Sequence, residues 1–389
     1  MVGGRFKVAS VASVAVAGLF MGGVAAQSAD LGGNCCADLE ERVAELEATT
    51  ARKGNRKQSL TIYGQVAKGV VWHDQSINGD TNNGSIRDMN GRSGTRFGFK
   101  GSAKINADLS AGFLMEIGVD NTNPIHGASS SRYSQVIITS KSLGTVKLGQ
   151  GSEATDGITE IKLGGALSGL FSAGEGSDAS SVAAAAYSNS FDGTRDTGVV
   201  YNTPTIGGFV VSAGWYQTSG SANAINGTSR SDVAIRYAGE FGPIRVAAGV
   251  GYHVVDQISG KENTETISGS ASIMHVPTGV FLNGAAGHVN DDDTARHGAA
   301  VGDDHTGWAI SGGVVRKFNS LGNTSIEVRY TQFDNDANSR NPHSVGVGIS
   351  QNIDAAAMDI YAMWEHYDTD AGVVDDDVNV ISAGMRVRF

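Results

Sequence analysis

Short segments in which apolar and polar side chains alternate recur along the chain from residue 58 to its end. In the last segment Ile381, Met385 and Phe389 share one face. Ser382 and Arg386 share the other. Successive side chains point to opposite faces of a β-strand, so this period of two predicts strands rather than helices. The pattern indicates strands with one apolar side and one water-facing side.

The links between these segments alternate in length. Leu143-Gly144 and Phe241-Gly242-Pro243 are short and turn-like, whereas residues 74–91 and 152–194 are long and polar. A transmembrane antiparallel up-and-down β-barrel has short turns at one end and long loops at the other. A soluble sandwich or propeller gives no reason for this asymmetry. We therefore predict an all-β transmembrane barrel of about sixteen strands. The predicted strands cover residues 58–73, 92–105, 107–118, 132–141, 143–151, 195–203, 207–218, 229–241, 243–256, 263–276, 278–290, 305–318, 323–334, 341–353, 355–368 and 377–389.

The composition fits such a barrel and excludes other classes of protein. Glycine accounts for 54 of 389 residues without a collagen-like repeat, and only 18% of residues are charged. The net charge of −11 argues against a nucleic-acid partner, which would require a basic surface. Cys35 and Cys36 are adjacent, so we expect no disulfide framework, zinc site or cofactor in the barrel. Interchain disulfides and a lipid attachment are alternatives for this pair.

The N-terminus has the features of an export signal. Arg5 and Lys7 precede the apolar and small-residue stretch 8–24, and Val24-Ala25-Ala26 fits the small-residue cleavage rule. A transmembrane anchor is the alternative, but the stretch is short and rich in Ala, Ser and Gly. We therefore expect residues 1–26 to be a signal peptide.

A helix is predicted between the signal and the barrel. Residues 38–52 contain strong helix formers, and Leu39, Val43 and Leu46 lie on one face. A helix of this length is marginal alone, so a parallel trimeric coiled coil and a frayed amphipathic spacer are the alternatives. The predicted domains are a signal peptide at 1–26, a periplasmic helical or coiled-coil segment at 27–57 and the barrel at 58–389.

Two acidic runs, Asp291-Asp292-Asp293 and Asp375-Asp376-Asp377, suggest calcium ligands at first sight. They lack the spaced ligands and central glycine of a calcium loop. We expect solvated external loops and no metal site.

Four segments have a specific order and spacing: CCADLEERVAELEATTARKGNRK at 35–57, RFGFKG at 96–101, TVKLGQ at 145–150 and TGVVYNTPTIGGF at 197–209. In these segments the chain resembles the general bacterial porin family in its alphaproteobacterial branch. The resemblance covers nearly the whole chain and is most specific between residues 91 and 210. One departure is Gln150, where the family often has a basic residue.

The resemblance implies a homotrimer of water-filled barrels in the cell outer membrane, each narrowed by a third loop folded inward. It implies passive diffusion of small hydrophilic solutes and ions. Residues 152–194 are the candidate for that loop. Terminal Phe389 resembles the signal by which the outer-membrane assembly machinery recognises such chains. Outer-membrane lipid and lipopolysaccharide are further expected partners.

Charged side chains are candidates for the wall of the constriction, since charge there determines ion preference. Arg92, Arg96 and Lys100 alternate with Phe97 and Phe99, so we expect the three cations to point into the lumen. The resemblance assigns Arg96 to the cationic wall. The candidate cationic wall comprises Arg92, Arg96, Lys100 and Arg132, and the candidate acidic loop residues are Glu153, Asp156 and Glu160.

Two other functions are alternatives to a channel. A barrel enzyme such as a lipase or protease is not expected, because the chain has no Gly-x-Ser-x-Gly or His-Glu-x-x-His motif and its histidines are scattered singly. A tether to the cell wall through residues 28–57 could coexist with a channel.

Overall fold

A computed structural model describes residues 50–53, 56–75, 81–89, 93–119, 129–167, 169–171, 191–217, 229–256, 263–290, 304–335, 341–368 and 377–389. Almost all of them lie in antiparallel strands. The strands are β1 (Thr50–Lys53), β2 (Arg56–Ser59), β3 (Thr61–Gln75), β4 (Thr81–Asp88), β5 (Arg96–Lys104), β6 (Leu109–Val119), β7 (Ser129–Ser140), β8 (Gly144–Ser152), β9 (Arg195–Asn202), β10 (Phe209–Gln217), β11 (Ser229–Phe241), β12 (Ile244–Asp256), β13 (Thr264–His275), β14 (Val280–Asn290), β15 (His305–Asn319), β16 (Gly322–Asn335), β17 (His343–Ile353), β18 (Met358–Asp368) and β19 (Asp377–Arg388).

Strands β3 to β19 close into an antiparallel barrel that follows chain order, with β4 and β5 both paired to β3. The last strand, β19, closes the ring on β3 with Val378 opposite Gln75 and Arg388 opposite Gln65. Because β4 and β5 together occupy one position beside β3, the wall has 16 positions. The predicted fold class and strand number are confirmed.

The second wall position differs from the sequence prediction. A single strand was predicted at 92–105 after a loop at 74–91, but residues 81–88 form β4 and pair with residues 68–75 of β3. Strand β5 pairs with residues 61–65 of β3 instead. The sequence TNNGSIRD of β4 holds one large apolar residue, Ile86, so its alternation is too weak to recognise.

The N-terminal prediction falls mostly outside the described residues. Residues 1–49, which include the predicted signal peptide and most of the predicted helix at 38–52, are not described. From Thr50 the chain is extended, and β1 pairs with β2 in a hairpin, so the helix does not continue to residue 52. In the described part of the chain, helices with the length and apolar character needed to span a membrane are absent.

The two faces of the wall differ as the alternation predicts. In β10, Phe209 and Trp215 are 51% and 50% exposed on the outside, whereas Ser212 and Tyr216 are each 1% exposed on the inside. Large apolar side chains face outward on strands all around the ring. A surface of this kind is stable against lipid rather than water.

The short turns lie at one end of the barrel, where the C-terminus also lies. Residues 242–243 join β11 to β12, and Gly242 has a φ of 59°, which a glycine adopts without strain. At the same end the Phe389 amide donates to the Gly64 carbonyl at 3.1 Å, and the Gly64 amide donates to the Phe389 carbonyl at 2.9 Å. Terminal Phe389 therefore extends the pairing that closes the barrel.

Candidate functional site

The segment between β8 and β9 enters the barrel and lies on its inner wall. The Ala154 amide donates to the Tyr216 hydroxyl at 2.7 Å, and the Thr155 amide donates to an Asp232 carboxylate oxygen at 2.7 Å. The Arg236 guanidinium donates to the Ala154 carbonyl at 2.8 Å. Inward-facing side chains of β10 and β11 thus supply hydrogen bonds to loop backbone groups that have none from regular secondary structure.

Farther along the loop, the wall continues to bond its backbone. The Ser270 hydroxyl donates to the Ile158 carbonyl at 2.6 Å and accepts from the Ile161 amide at 3.1 Å. The Glu327 carboxylate then accepts from the amides of Ala166 and Leu167, each at 2.8 Å. The loop therefore runs from β10 to β16 along the wall.

A cationic cluster lies on the opposite side of the lumen, on β5, β6 and β7. Arg132 Nε donates to Glu116 Oε1 at 2.6 Å, and Arg96 Nη1 lies 3.6 Å from the same oxygen. The hydroxyl of Tyr63 donates to Glu116 Oε2 at 2.9 Å. One carboxylate therefore holds two guanidinium groups side by side. The arginine side chains are 19% and 21% exposed, so both remain accessible from the lumen.

The turn before β5 orients Arg96. Arg96 Nη2 donates to the Ser93 hydroxyl at 2.6 Å, and Gln65 Nε2 donates to the Gly94 carbonyl at 2.9 Å. Ser93 has a φ of 96°, which is uncommon for a residue with a side chain and indicates local strain. The interruption between β4 and β5 thus positions the Arg96 guanidinium.

The other predicted cations are placed differently. The Lys100 ammonium lies over the Tyr63 ring, 5.5 Å from its centre, farther down the lumen than Arg96. Arg92 lies outside the described residues. Arg195, at the start of β9, was not predicted, and its charge interacts with those of Arg96, Asp156 and Glu160.

The predicted acids occupy three different environments. Glu153 is buried, pairs with Arg230 at 3.0 Å and accepts from the Thr194 amide at 3.1 Å, so it ties both ends of the loop to the wall. Burial raises the pKa of the Glu153 carboxyl, and the Arg230 charge opposes this rise. Glu153 therefore anchors the loop rather than facing the lumen freely.

Asp156 and Glu160 both interact with the charge of Arg195. Burial raises the pKa of Asp156, while the charges of Arg195, Arg236 and Arg132 oppose the rise. Enclosure within the lumen, followed by the charges of Asp192 and Asp156, raises the pKa of Glu160 to about 7. Of the three predicted acids, Glu160 is the one whose side chain is exposed.

Glu116, Arg236 and Glu327 are wall residues whose roles the sequence did not reveal. Each occupies an inward position in a strand, on the face opposite outward apolar side chains such as Met115, Ile235 and Val328. The sequence signal that could have identified them is a charge on the lumenal face of an alternating strand. What that charge contacts depends on strands and loops far away in the sequence.

Among the described residues, no group of three or more His, Cys, Asp or Glu side chains is arranged to hold a metal ion. Phe389 is 66% exposed at the outer surface, where its ring lies beside Gly64.

Comparison with known proteins shows which family the chain belongs to. The sequence model described as Gram-negative porin matches residues 9–386. Among curated proteins, no relative matches the chain in sequence.

Solved structures of outer-membrane channels share the fold at low sequence identity. The anion-selective porin from Comamonas acidovorans is 18% identical, with 85% of this chain and 100% of that chain covered and a TM-score of 0.58. The OmpF complex with daunomycin from Salmonella typhi is 12% identical, with coverage of 87% and 100% and a TM-score of 0.60. OmpT of Vibrio cholerae in its trimer form is 13% identical, with coverage of 85% and 99% and a TM-score of 0.55. With its closed barrel, apolar outer face and nearly complete match to the family model, the chain belongs to the Gram-negative porin family and forms a passive channel in the outer membrane.

Proposed function

We propose that this channel selects small hydrophilic solutes and ions by size and by a transverse electric field across the loop constriction. The observation that carries the proposal is the Arg96–Glu116–Arg132 cluster together with the loop acid Asp156, whose carboxylate interacts electrostatically with Arg132. Positive and negative groups on opposite sides of a narrow passage orient a dipolar solute as it enters. The negative net charge of the chain is a weaker guide, since charges in distant loops are screened over about 10 Å.

The field has one cationic side and one acidic side. Arg195, at the start of β9, interacts electrostatically with Arg96 on the cationic side and with Asp156 and Glu160 on the loop. Because the single charge of Glu116 neutralises only one of the two arginines that are ion-paired with it, the cluster retains a net positive charge. Removing one guanidinium therefore lowers the positive potential along that side of the passage.

Arg132→Gln and Arg96→Gln test the proposal. Each is expected to shift the reversal potential in a KCl gradient toward cations, by roughly a twofold change in permeability ratio, while conductance is unchanged or rises. Lys104→Gln, at the exposed end of β5, is the matched control and is expected to leave the ratio unchanged. If both arginine variants kept the ion selectivity of the original chain, the cluster would not be part of the constriction.

We also propose that the channel is a homotrimer without catalytic activity. The trimer form of the Vibrio cholerae OmpT structure supports the first part, and the passive mechanism of the family supports the second. Analytical ultracentrifugation in detergent and hydrolase assays on the purified protein test them. The proposed partners are outer-membrane lipid and lipopolysaccharide around the apolar face and the assembly machinery at Phe389. Contact of residues 28–57 with the cell wall stays a prediction.

A further inference from the structure

A second cluster of two arginines and one carboxylate lies on the inner wall, at the end of the barrel that carries the short turns. Arg386 Nη2 of β19 lies 3.2 Å from Asp359 Oδ2 of β18, and Arg388 Nη2 donates to Asp359 Oδ1 at 2.5 Å. Asp359 is 1% exposed. One buried carboxylate again holds two guanidinium groups, as Glu116 does. We call Arg386, Asp359 and Arg388 the turn-end cluster.

The alternation of β19 directs both arginines of the turn-end cluster into the lumen. Met385 and Val387 are 53% and 41% exposed on the outer face, so Arg386 and Arg388 occupy the inner face. The Arg386 side chain is 14% exposed and that of Arg388 is 46% exposed. Because Asp359 balances only one of the two positive charges, the turn-end cluster presents a net positive charge to the lumen.

The turn-end cluster and the Arg96–Glu116–Arg132 cluster are neighbours on the wall. Arg388 lies opposite Gln65 of β3, and Gln65 lies opposite Arg96 of β5. Adjacent strands are about 4.8 Å apart, so the backbones at Arg388 and Arg96 are separated by about 10 Å. Gln65 is uncharged and donates to the Ser93 hydroxyl at 3.0 Å, in the turn that orients Arg96. Four arginines thus lie along one side of the lumen, from β7 to β19.

Two other arginines of the inner wall have their charge balanced. Arg245 of β12 lies at the same end of the barrel and is 44% exposed, but it pairs with Glu240, so that pair is neutral. Arg329 of β16 is 1% exposed and pairs with Glu365. An accessible positive charge that exceeds its counter-charge therefore sets the turn-end cluster apart from both of these pairs.

The chemistry of the turn-end cluster suits small divalent oxyanions. A guanidinium presents five N–H donors in a planar fork, which matches two oxygens of a sulfate, a phosphate or a carboxylate. Asp359 binds the Nη2 group of Arg388, and the exposed part of this guanidinium faces the lumen. A chloride ion gains only from the positive charge, whereas a divalent oxyanion carries twice the charge and also accepts the forked hydrogen bonds.

We propose that the turn-end cluster is a binding site for small divalent oxyanions, the class that includes phosphate and dicarboxylates. Together with Arg96 and Arg132 it forms a path of two binding steps along one wall. An anion that leaves Arg96 and Arg132 binds next at Arg386 and Arg388, before it leaves the barrel at the end with the short turns. The inference rests on the proposed selection by charge and adds the class of solute.

Block of the potassium chloride current by sulfate tests the site in planar bilayers. A sulfate ion bound at the turn-end cluster should slow the passage of chloride. Arg388→Gln is expected to raise the half-blocking sulfate concentration roughly fivefold, because it removes a forked donor and one charge. Arg245→Gln is the matched control, since it removes the same charge from a side chain of nearly equal exposure, and it should leave that concentration unchanged. Potassium nitrate at the same ionic strength should block neither channel.

Asp359→Asn separates anion binding from structural damage. The amide keeps the shape of the side chain but removes the counter-charge, so the half-blocking sulfate concentration should fall, opposite to the change in Arg388→Gln. A purely structural role of Asp359 would not strengthen the block. The proposal is overturned if sulfate does not block the original chain, if Arg388→Gln and Arg245→Gln change the half-blocking concentration equally, or if Asp359→Asn does not lower it.

The reversal potential in a KCl gradient distinguishes failure of this site from failure of the proposed function. If sulfate block fails while Arg96→Gln still shifts the reversal potential toward cations, the turn-end cluster binds no divalent anion but selection by charge stands. If Arg96→Gln and Arg132→Gln leave the reversal potential unchanged, the proposed selection by charge fails instead.

Discussion

Glu116 on β6 and Glu327 on β16 both point into the lumen, and both are nearly inaccessible to solvent. Glu116 binds the side chains of Arg96 and Arg132, which remain partly exposed. Glu327 instead binds two backbone amides of the loop and the ammonium of Lys162 at 2.6 Å. On one wall the carboxylate pairs with the charges that we propose a solute meets, and on the other it fastens the loop to the wall.

The difference between the two carboxylates comes from what lies opposite each wall position. Around Glu116 the lumen is open enough for two guanidinium groups to remain accessible. Around Glu327 the loop covers the wall, so the carboxylate binds groups of the loop. Residue type alone therefore does not distinguish a selectivity residue from an anchoring residue. The contacts that each carboxylate makes across the lumen distinguish the two roles.

Glu327→Ala should have the largest effect, because it removes the carboxylate that binds two loop amides and the Lys162 ammonium. Removing one partner of a buried pair costs about 3 kcal/mol or more. With 1.4 kcal/mol for each factor of ten, the Ala166 and Leu167 amides should exchange hydrogen roughly 100-fold faster. Hydrogen exchange followed by mass spectrometry measures this change.

Glu240→Ala is the control for that experiment. Glu240 pairs with Arg245 at the end of β11, where the two side chains are 57% and 44% exposed. An exposed pair contributes about 0–1 kcal/mol, so loop exchange should not change. Equal exchange rates in both variants would contradict the anchoring role of Glu327.

Glu116→Gln should have a smaller and different effect. The amide keeps the shape of the side chain but removes the negative charge between Arg96 and Arg132. We expect the reversal potential to shift toward anions, opposite in sign to the shift in Arg132→Gln, while loop amides keep their protection. A shift toward cations, or loss of loop protection, would show that the two carboxylates do not have separate roles.

The smallest effect on ion selectivity should come from a change in pH. Because the pKa of Glu160 is raised to about 7, its carboxyl is mostly neutral at pH 6 and mostly charged at pH 8. The permeability ratio should therefore move toward cations as the pH rises through 7. Glu160→Gln should remove this dependence in the same recordings. A ratio that is independent of pH in the original chain would exclude Glu160 from the passage.

The sequence predicts the barrel wall well because each strand carries its own evidence. The alternation of Ile326 and Val328 with Glu327 and Arg329 identifies both faces of β16 without knowledge of its neighbours. The short turns are equally local. Where the alternation fails, as in the polar strand β4, the prediction fails too.

The site is less predictable because its contacts join residues far apart in the chain. The sequence marks Arg96 and Arg132 as charges at strand positions, but not the Glu116 carboxylate that holds both. It treats Glu153, Asp156 and Glu160 alike, whereas the structure buries the first in a pair with Arg230 and leaves the last exposed. Such differences arise from the path of the loop across β10 to β16.

Planar-bilayer recording of the purified mature protein is the most direct measurement. A closed wall of strands around a narrowed, water-filled lumen predicts uniform stepwise increases in current, proportional to voltage. Arg132→Gln and Glu116→Gln should displace the reversal potential in opposite directions. The proposed channel would be contradicted by a protein that stays soluble without detergent and gives no current steps. It would also be contradicted if the two variants displaced the reversal potential in the same direction.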